Sequence, residues 1–141
     1  MELRFKKLHP AAKVPSYAHA SDAGMDLFTV EAFTLKPGEH RIVPTGIAFA
    51  VPLGYAALTW DKGSVALKRH IKVMGGVFDA DYRGELLIGL TNLGATPQDF
   101  AVGDKIAQII IQPVEHPTLT EVEAFEETAR GEGRFGSTGK A

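Results

Sequence analysis

Gly75–Leu86 (GGVFDADYRGEL) sets a short apolar run, Val77-Phe78, against two carboxylates, Asp79 and Asp81, and closes with Tyr82-Arg83-Gly84-Glu85. Side chains alternate across a β-strand, so acids two residues apart can be aimed into one pocket. Acids held unpaired beside a buried aromatic are costly, which makes a chemical task one reading of the segment. A solvated hairpin tip is the other, since Asp and Gly are common turn residues.

Outward from this segment the chain is a series of short strand-like pieces: Leu3–Leu8, Arg41–Val51, Tyr55–Trp60, Leu86–Asn92 and Ile106–Val114. Turn signals separate them at Lys36-Pro37-Gly38, Val51-Pro52-Leu53-Gly54, Asn92-Leu93-Gly94 and Val102-Gly103-Asp104. The 15 glycines and 8 prolines are spread along the chain and cut it finely, leaving little amphipathic helix. Ser64–His70 is expected to form one or two helical turns and Glu123–Thr128 one more. This pattern predicts an all-β sandwich, jelly roll or barrel. With 141 residues, no internal repeat and no linker, a single β domain over residues 1–129 is expected, followed by a Gly-rich arm over 130–141.

Composition narrows the function classes. A net charge of −2 supplies no general field for a polyanion, so direct nucleic-acid binding is not expected and any phosphate must be gripped locally. The absence of cysteine excludes disulfides and thiolate metal sites. No run of about 18 apolar residues suggests a membrane span, and MELRFKKLHP lacks the apolar centre of a signal peptide; a cytoplasmic protein is expected.

Four further segments carry polar chemistry. In Ser21–Leu27 (SDAGMDL), Asp26 either closes an Asx-type turn before a strand or holds Mg²⁺, directly or through water. Trp60–Ile71 (WDKGSVALKRHI) leaves a strand through Lys62-Gly63-Ser64 into a short helix. Its backbone N–H groups, hydroxyl and lysine suit an anion, while Ser64 as a plain helix N-cap is the alternative. Lys68, Arg69 and His70 then form an exposed basic helix end, and none of the five histidines has a metal-binding spacing. In Gly103–Pro113 (GDKIAQIIIQP), Gln108 either satisfies a neighbouring backbone group or reaches a phosphate. Arg130–Ala141 (RGEGRFGSTGKA) has too little apolar content to order itself and reads as a frayed terminus. Its glycines, hydroxyls, Arg130 and Phe135 alternatively make an arm that orders around a nucleotide.

Taken in order, SDAGMDL, DKGSVALK, GGVFDADYRGEL, GDKIAQIII and RGEGRFGSTG resemble the five motifs of the trimeric dUTPase family, over residues 20–139. The resemblance implies a jelly-roll-like β subunit with very little helix and a flexible C-terminal arm. It also implies a homotrimer with active sites at its interfaces. The implied reaction is Mg²⁺-dependent hydrolysis of dUTP to dUMP and pyrophosphate, limiting uracil incorporation into DNA and supplying dUMP. Carried over by position, Asp79 matches the acid that orients and deprotonates the attacking water, and Tyr82 the ring against the deoxyribose. The backbone from Gly76 and Val77 to Tyr82 matches the uracil-reading hairpin. Asp26 matches the acid associated with hydrated Mg²⁺, and Lys62, Gly63, Ser64 and Gln108 match phosphate contacts. Arg130 matches the γ-phosphate arginine, Phe135 the ring over uracil, and Gly136, Ser137 and Thr138 the terminal phosphate donors.

The second motif departs from the common Arg-Ser-Gly: Lys62 keeps the charge without the guanidinium fork, and the serine is displaced to position 64. Arg134 stands where many members have glycine. Related dCTP deaminases place a glutamate general base on the strand after the hairpin, where this chain has Gly89. A non-catalytic nucleotide-binding module on the same scaffold is the third reading, disfavoured by the joint presence of Asp26, Asp79, Gln108, Arg130 and Phe135.

Overall fold

The computed structural model describes residues 1–129 and 131–132. Ten strands and one short helix follow one another along the described chain. They are β1 (Arg4–Lys7), β2 (Met25–Phe28), β3 (Phe33–Leu35), β4 (His40–Ala50), β5 (Tyr55–Trp60), α1 (Gly63–Arg69), β6 (Ile71–Met74), β7 (Val77–Phe78), β8 (Glu85–Asn92), β9 (Gln98–Phe100) and β10 (Lys105–Pro113). All pairings are antiparallel, in a sheet ordered β1-β4-β8-β6, a second ordered β2-β10-β5-β7, and the ribbon β3-β9. The chain is therefore all-β with little helix, as its turn spacing predicted.

One apolar cluster draws from both large sheets: Val43, Ile47, Leu86, Ile88 and Leu90 from the first, Leu27, Ala57, Ile106 and Ile109 from the second. In β8 the alternation is clean, with Leu86, Ile88, Leu90 and Asn92 buried and Leu87 exposed. Asn92 is fully buried without cost because its amide donates to the Leu35 and Thr96 carbonyls and its oxygen accepts the Gly94 N–H. The β4/β8 register shifts between Pro44 and Ala48, at Gly46. Gly46 has φ +67°, and a Cβ there would lie 2.8–2.9 Å from His9, Ala12 and Val30, so only glycine fits this bulge. The Glu85 carboxylate accepts its N–H at 2.6 Å, pinning the kink.

Two helix expectations need correction. Residues 123–128 are exposed and non-helical, because their apolar side chains, Phe125 above all, find no surface to pack on. Ser64 is not an N-cap: α1 begins one residue earlier, with Lys62 at the cap in an extended conformation and no side-chain cap bond. His70 ends the helix in the left-handed region, φ 56°.

Candidate active site

Asp26 lies inside β2 rather than in a turn before it, 2% exposed, its N–H donated to the Ser16 carbonyl. It stands in register with Gln108 on β10, which stands in register with Trp60 on β5, so the three share one face of the sheet. Lys62 Nζ lies 2.6 Å from Asp26 Oδ1 and Lys105 Nζ 2.7 Å from Oδ2. Burial alone would raise the Asp26 pKa; the two ammonium groups outweigh it and hold the carboxyl below its usual value. Two lysines on one carboxylate leave a local excess of positive charge, suited to a polyanion. Gln108 donates its amide to the Asp61 carbonyl at 2.9 Å, satisfying a backbone group. The segments carrying Asp26, Lys62 and Gln108, remote in sequence, thus meet at one end of β5.

Helix α1 presents its first N–H groups, Gly63 and Ser64, without intrahelical partners, beside Lys62. Its far end is fastened rather than free. Arg69 stacks on Phe100 with the guanidinium carbon 3.8 Å from the ring centre, and donates to Gln98 Oε1 at 3.0 Å and to the Asp99 carbonyl.

The segment Gly75–Leu86 is a hairpin. Strand β7 pairs with β5, Phe78 facing Ala57 and Val77 facing Leu58, and the Gly76 carbonyl accepts the Thr59 N–H at 2.8 Å. The turn is closed by the Tyr82 N–H bonding the Asp79 carbonyl, and by Arg83 donating to the Ala80 and Tyr82 carbonyls at 2.6 and 2.8 Å. The Tyr82 ring lies 5.8 Å from Phe78, and its hydroxyl donates to the Glu85 carbonyl at 2.9 Å. Asp79 and Asp81 are exposed, so burial exerts no cost on them within one chain. Both border a crevice of about 330 Å³ shared with Tyr55 and His116.

Hairpin and cation cluster occupy opposite ends of β5. Ala57 faces Phe78 and Trp60 faces Gln108, three residues or about 10 Å apart along the strand. Arg130, Phe135, Gly136, Ser137 and Thr138 lie outside the described residues. Lys105 and Asp61 joined the cluster without being singled out from sequence. A lysine in a turn and an aspartate after a strand carry no signal until long-range pairing places them.

No group of three or more His, Asp or Glu able to hold a metal exists among the described residues. A single carboxylate beside lysines suits only a cation that keeps its waters and takes most of its oxygens from a phosphate chain, which is the habit of Mg²⁺. Asp26 fits that mode. Gly89 admits no side chain, since a Cβ there would lie 2.8 Å from the Met74 carbonyl.

A sequence model of the dUTPase family matches residues 11–139. The deoxyuridine 5'-triphosphate nucleotidohydrolase of Wolinella succinogenes is 43% identical, covering 100% of this chain and 96% of that protein. That of Thermobifida fusca is 44% identical, covering 99% and 79%. Among solved structures, a variant of the Staphylococcus bacteriophage 80alpha dUTPase with dUpNHpp superposes with a TM-score of 0.92 at 30% identity, over 99% of each chain. A dUTPase variant from phage phi11 of S. aureus, in which a structural Mg(II) ion is coordinated, gives 0.84 at 29% identity, over 90% of this chain and 100% of that one.

Proposed function

The chain belongs to the dUTPase family and hydrolyses dUTP to dUMP and pyrophosphate, and from this premise we propose how its residues divide the work. The observation that carries the division is the placing of two unlike sites on one sheet, a lysine-rich cluster around Asp26 and an open hairpin bearing Asp79 and Tyr82.

The hairpin takes the nucleoside. Backbone groups from Gly76 and Val77 onward read uracil, and the Tyr82 ring lies against the deoxyribose, leaving no room for a 2′-hydroxyl. Lys62, the Gly63 and Ser64 N–H groups, the Ser64 hydroxyl and Gln108 hold the phosphates. Asp79 orients a water and takes its proton as the water oxygen bonds the α-phosphorus; the bond from that phosphorus to the bridging oxygen breaks, and pyrophosphate leaves. Positioning and charge neutralisation supply most of the acceleration in such a transfer. Mg²⁺ would be held by the phosphates and, through water, by Asp26, and when bound it neutralises the triphosphate. Arg130, Phe135, Gly136, Ser137 and Thr138 close over the nucleotide as a C-terminal arm on the 1–129 domain and shed water from it.

We further infer a homotrimer with interfacial sites in the cytoplasm. Supporting it is an apolar trough on the outer face of the first sheet, where Ile42, Gly89 and Met74 adjoin across three strands and Leu87 follows on β8. Ile42 is 68% exposed and Met74 49%, apolar surface that a second copy would cover. Docked copies would bring the hairpin of one against the lysine cluster of another.

The test is pyrophosphate release from dUTP, dCTP, dTTP and UTP with and without Mg²⁺. Turnover confined to dUTP and dependent on Mg²⁺ is expected; a deaminated product from dCTP would overturn the reading. Asp79→Asn is expected to abolish turnover and still bind dUpNHpp, because the amide keeps the shape and loses the basicity. Near-normal turnover in that variant removes Asp79 from the role of base.

A further inference from the structure

We propose that Asp61 is a positioning residue that fixes the phosphate loop Lys62–Ser64 against Asp26 and Gln108; the proposal rests on the phosphate-binding role of that loop given above. Asp61 sits where the chain leaves β5 at Trp60 and before α1 begins at Gly63. It is bonded in three directions. Oδ1 accepts the Val73 N–H at 2.8 Å, Oδ2 pairs with Lys72 Nζ at 2.7 Å, and its backbone carbonyl accepts the Gln108 amide at 2.9 Å. Lys72 and Val73 belong to β6 in the first sheet and Gln108 to β10 in the second, so one residue is moored to both sheets.

The loop has few other means of staying in place. Gly63 and Ser64 are exposed, a Cβ added at Gly63 would touch nothing within 4 Å, and Val65 is the one buried residue of α1. Packing fixes α1 from Val65 onward and Arg69 fixes its far end, while Lys62 is held at its ammonium by Asp26 and at its backbone through Asp61. Burial costs the Asp61 carboxylate something, and the bonds from Lys72 and the Val73 N–H outweigh that cost, holding its pKa below the usual value. The next residue is Lys62, whose ammonium must meet Asp26 from this anchor. A lysine stem is flexible, so where its ammonium dwells depends on where its backbone is held. The same Gln108 amide that bonds the Asp61 carbonyl is a phosphate contact of the proposed site, so Asp61 also sets the gap between the loop and Gln108.

The experiment compares Asp61→Ala and Asp61→Asn with the unaltered protein, measuring dissociation constants for dUpNHpp and dUMP together with kcat and KM for dUTP. Asp61→Ala is expected to weaken dUpNHpp by roughly 10- to 100-fold, the range of one lost charged hydrogen bond. It should leave dUMP, held chiefly at the hairpin, within about 2-fold, and raise KM more than it lowers kcat. Asp61→Asn keeps an acceptor for the Val73 N–H and is expected to recover part of the dUpNHpp affinity, even where the alanine variant fails to fold. Equal weakening of both ligands in either variant that folds, or no weakening in Asp61→Asn and Asp61→Ala alike, overturns the proposal. Lys62→Met, measured in parallel, separates the two levels. If it leaves dUpNHpp binding unchanged, the phosphate role of the loop is wrong. If it weakens dUpNHpp while the Asp61 variants do not, Asp61 alone loses its role.

Discussion

Gly84→Ala isolates the seat of Tyr82. A Cβ at Gly84 would lie 2.3 Å from the Tyr82 hydroxyl oxygen and 2.5 Å from Cζ, far inside contact distance, so the ring must leave its place. Gly84 is not among the left-handed residues, so alanine adds no backbone strain and the collision is the whole perturbation. Displacing the ring forfeits the bond to the Glu85 carbonyl, about 0.5–1.5 kcal/mol. It also forfeits the contact with Phe78, about 0.5–1.5 kcal/mol more. Together roughly 1–3 kcal/mol no longer hold the ring against the sugar, equivalent to about 5- to 150-fold in selectivity. The assay is the ratio of kcat/KM for dUTP to that for UTP, with Tyr82→Ala setting the ceiling on the loss and a melting curve confirming that the variant is folded. A folded Gly84→Ala protein that keeps the unaltered ratio refutes both the seat and the gate.

Both Asp26 and Asp61 are held below the ordinary carboxylate value of 3.8. Their stabilising effect is thus present above that pH and lost as pH falls through their lowered native values. In metal-free buffer the melting temperature should stay nearly level from pH 7 to about 5 and fall below about 4, with a shallower fall in Asp26→Asn; an unchanged slope in that variant contradicts the account. Removing residues 130–141 should leave the folded core, because the apolar cluster among the described residues is built from residues up to Ile111, and severely reduce dUTP turnover; full activity in the shortened protein, or its unfolding, ends the role given to the arm. Leu90→Ala, at a fully buried position on β8, should cost about 2–5 kcal/mol in urea unfolding, and a loss below about 1 kcal/mol would show that the cluster repacks around the gap.

The long strands were legible because their patterns are local. The 55–60 run was placed to the residue, and β4, β8 and β10 to within about one at each end. Strands of two to four residues such as β7, β3 and β2 are too short to show a period; β7 and β2 are templated by the longer β5 and β10, and β3 pairs with the equally short β9. Asp26 reads as a turn residue from its glycine-containing approach, whereas its pairing with Gln108 draws it into the sheet. The helix at 63–69 was visible from Val65 and its neighbours, but its start was not, since Ser64 is an equally good cap on propensity alone. Of the site, the ordered motifs could be found along the chain. That Asp26, Lys62, Lys105 and Gln108 converge follows from the order β2-β10-β5-β7, a non-local fact that no window of sequence contains.

Strand β1 lies at the rim of the first sheet, where it bears on the proposed trimer. It is four residues long, every one of them exposed, and three of the four are Arg4, Lys6 and Lys7. An open strand rim is a template for endless sheet extension, and clustered like charges on so short a rim make a second copy repel rather than zip. Apolar surface such as the Ile42–Met74 trough is exposed elsewhere, on a face. In the proposed trimer the charged rim would leave the faces as the place for copies to meet, which favours a closed ring over fibrous growth by the rims.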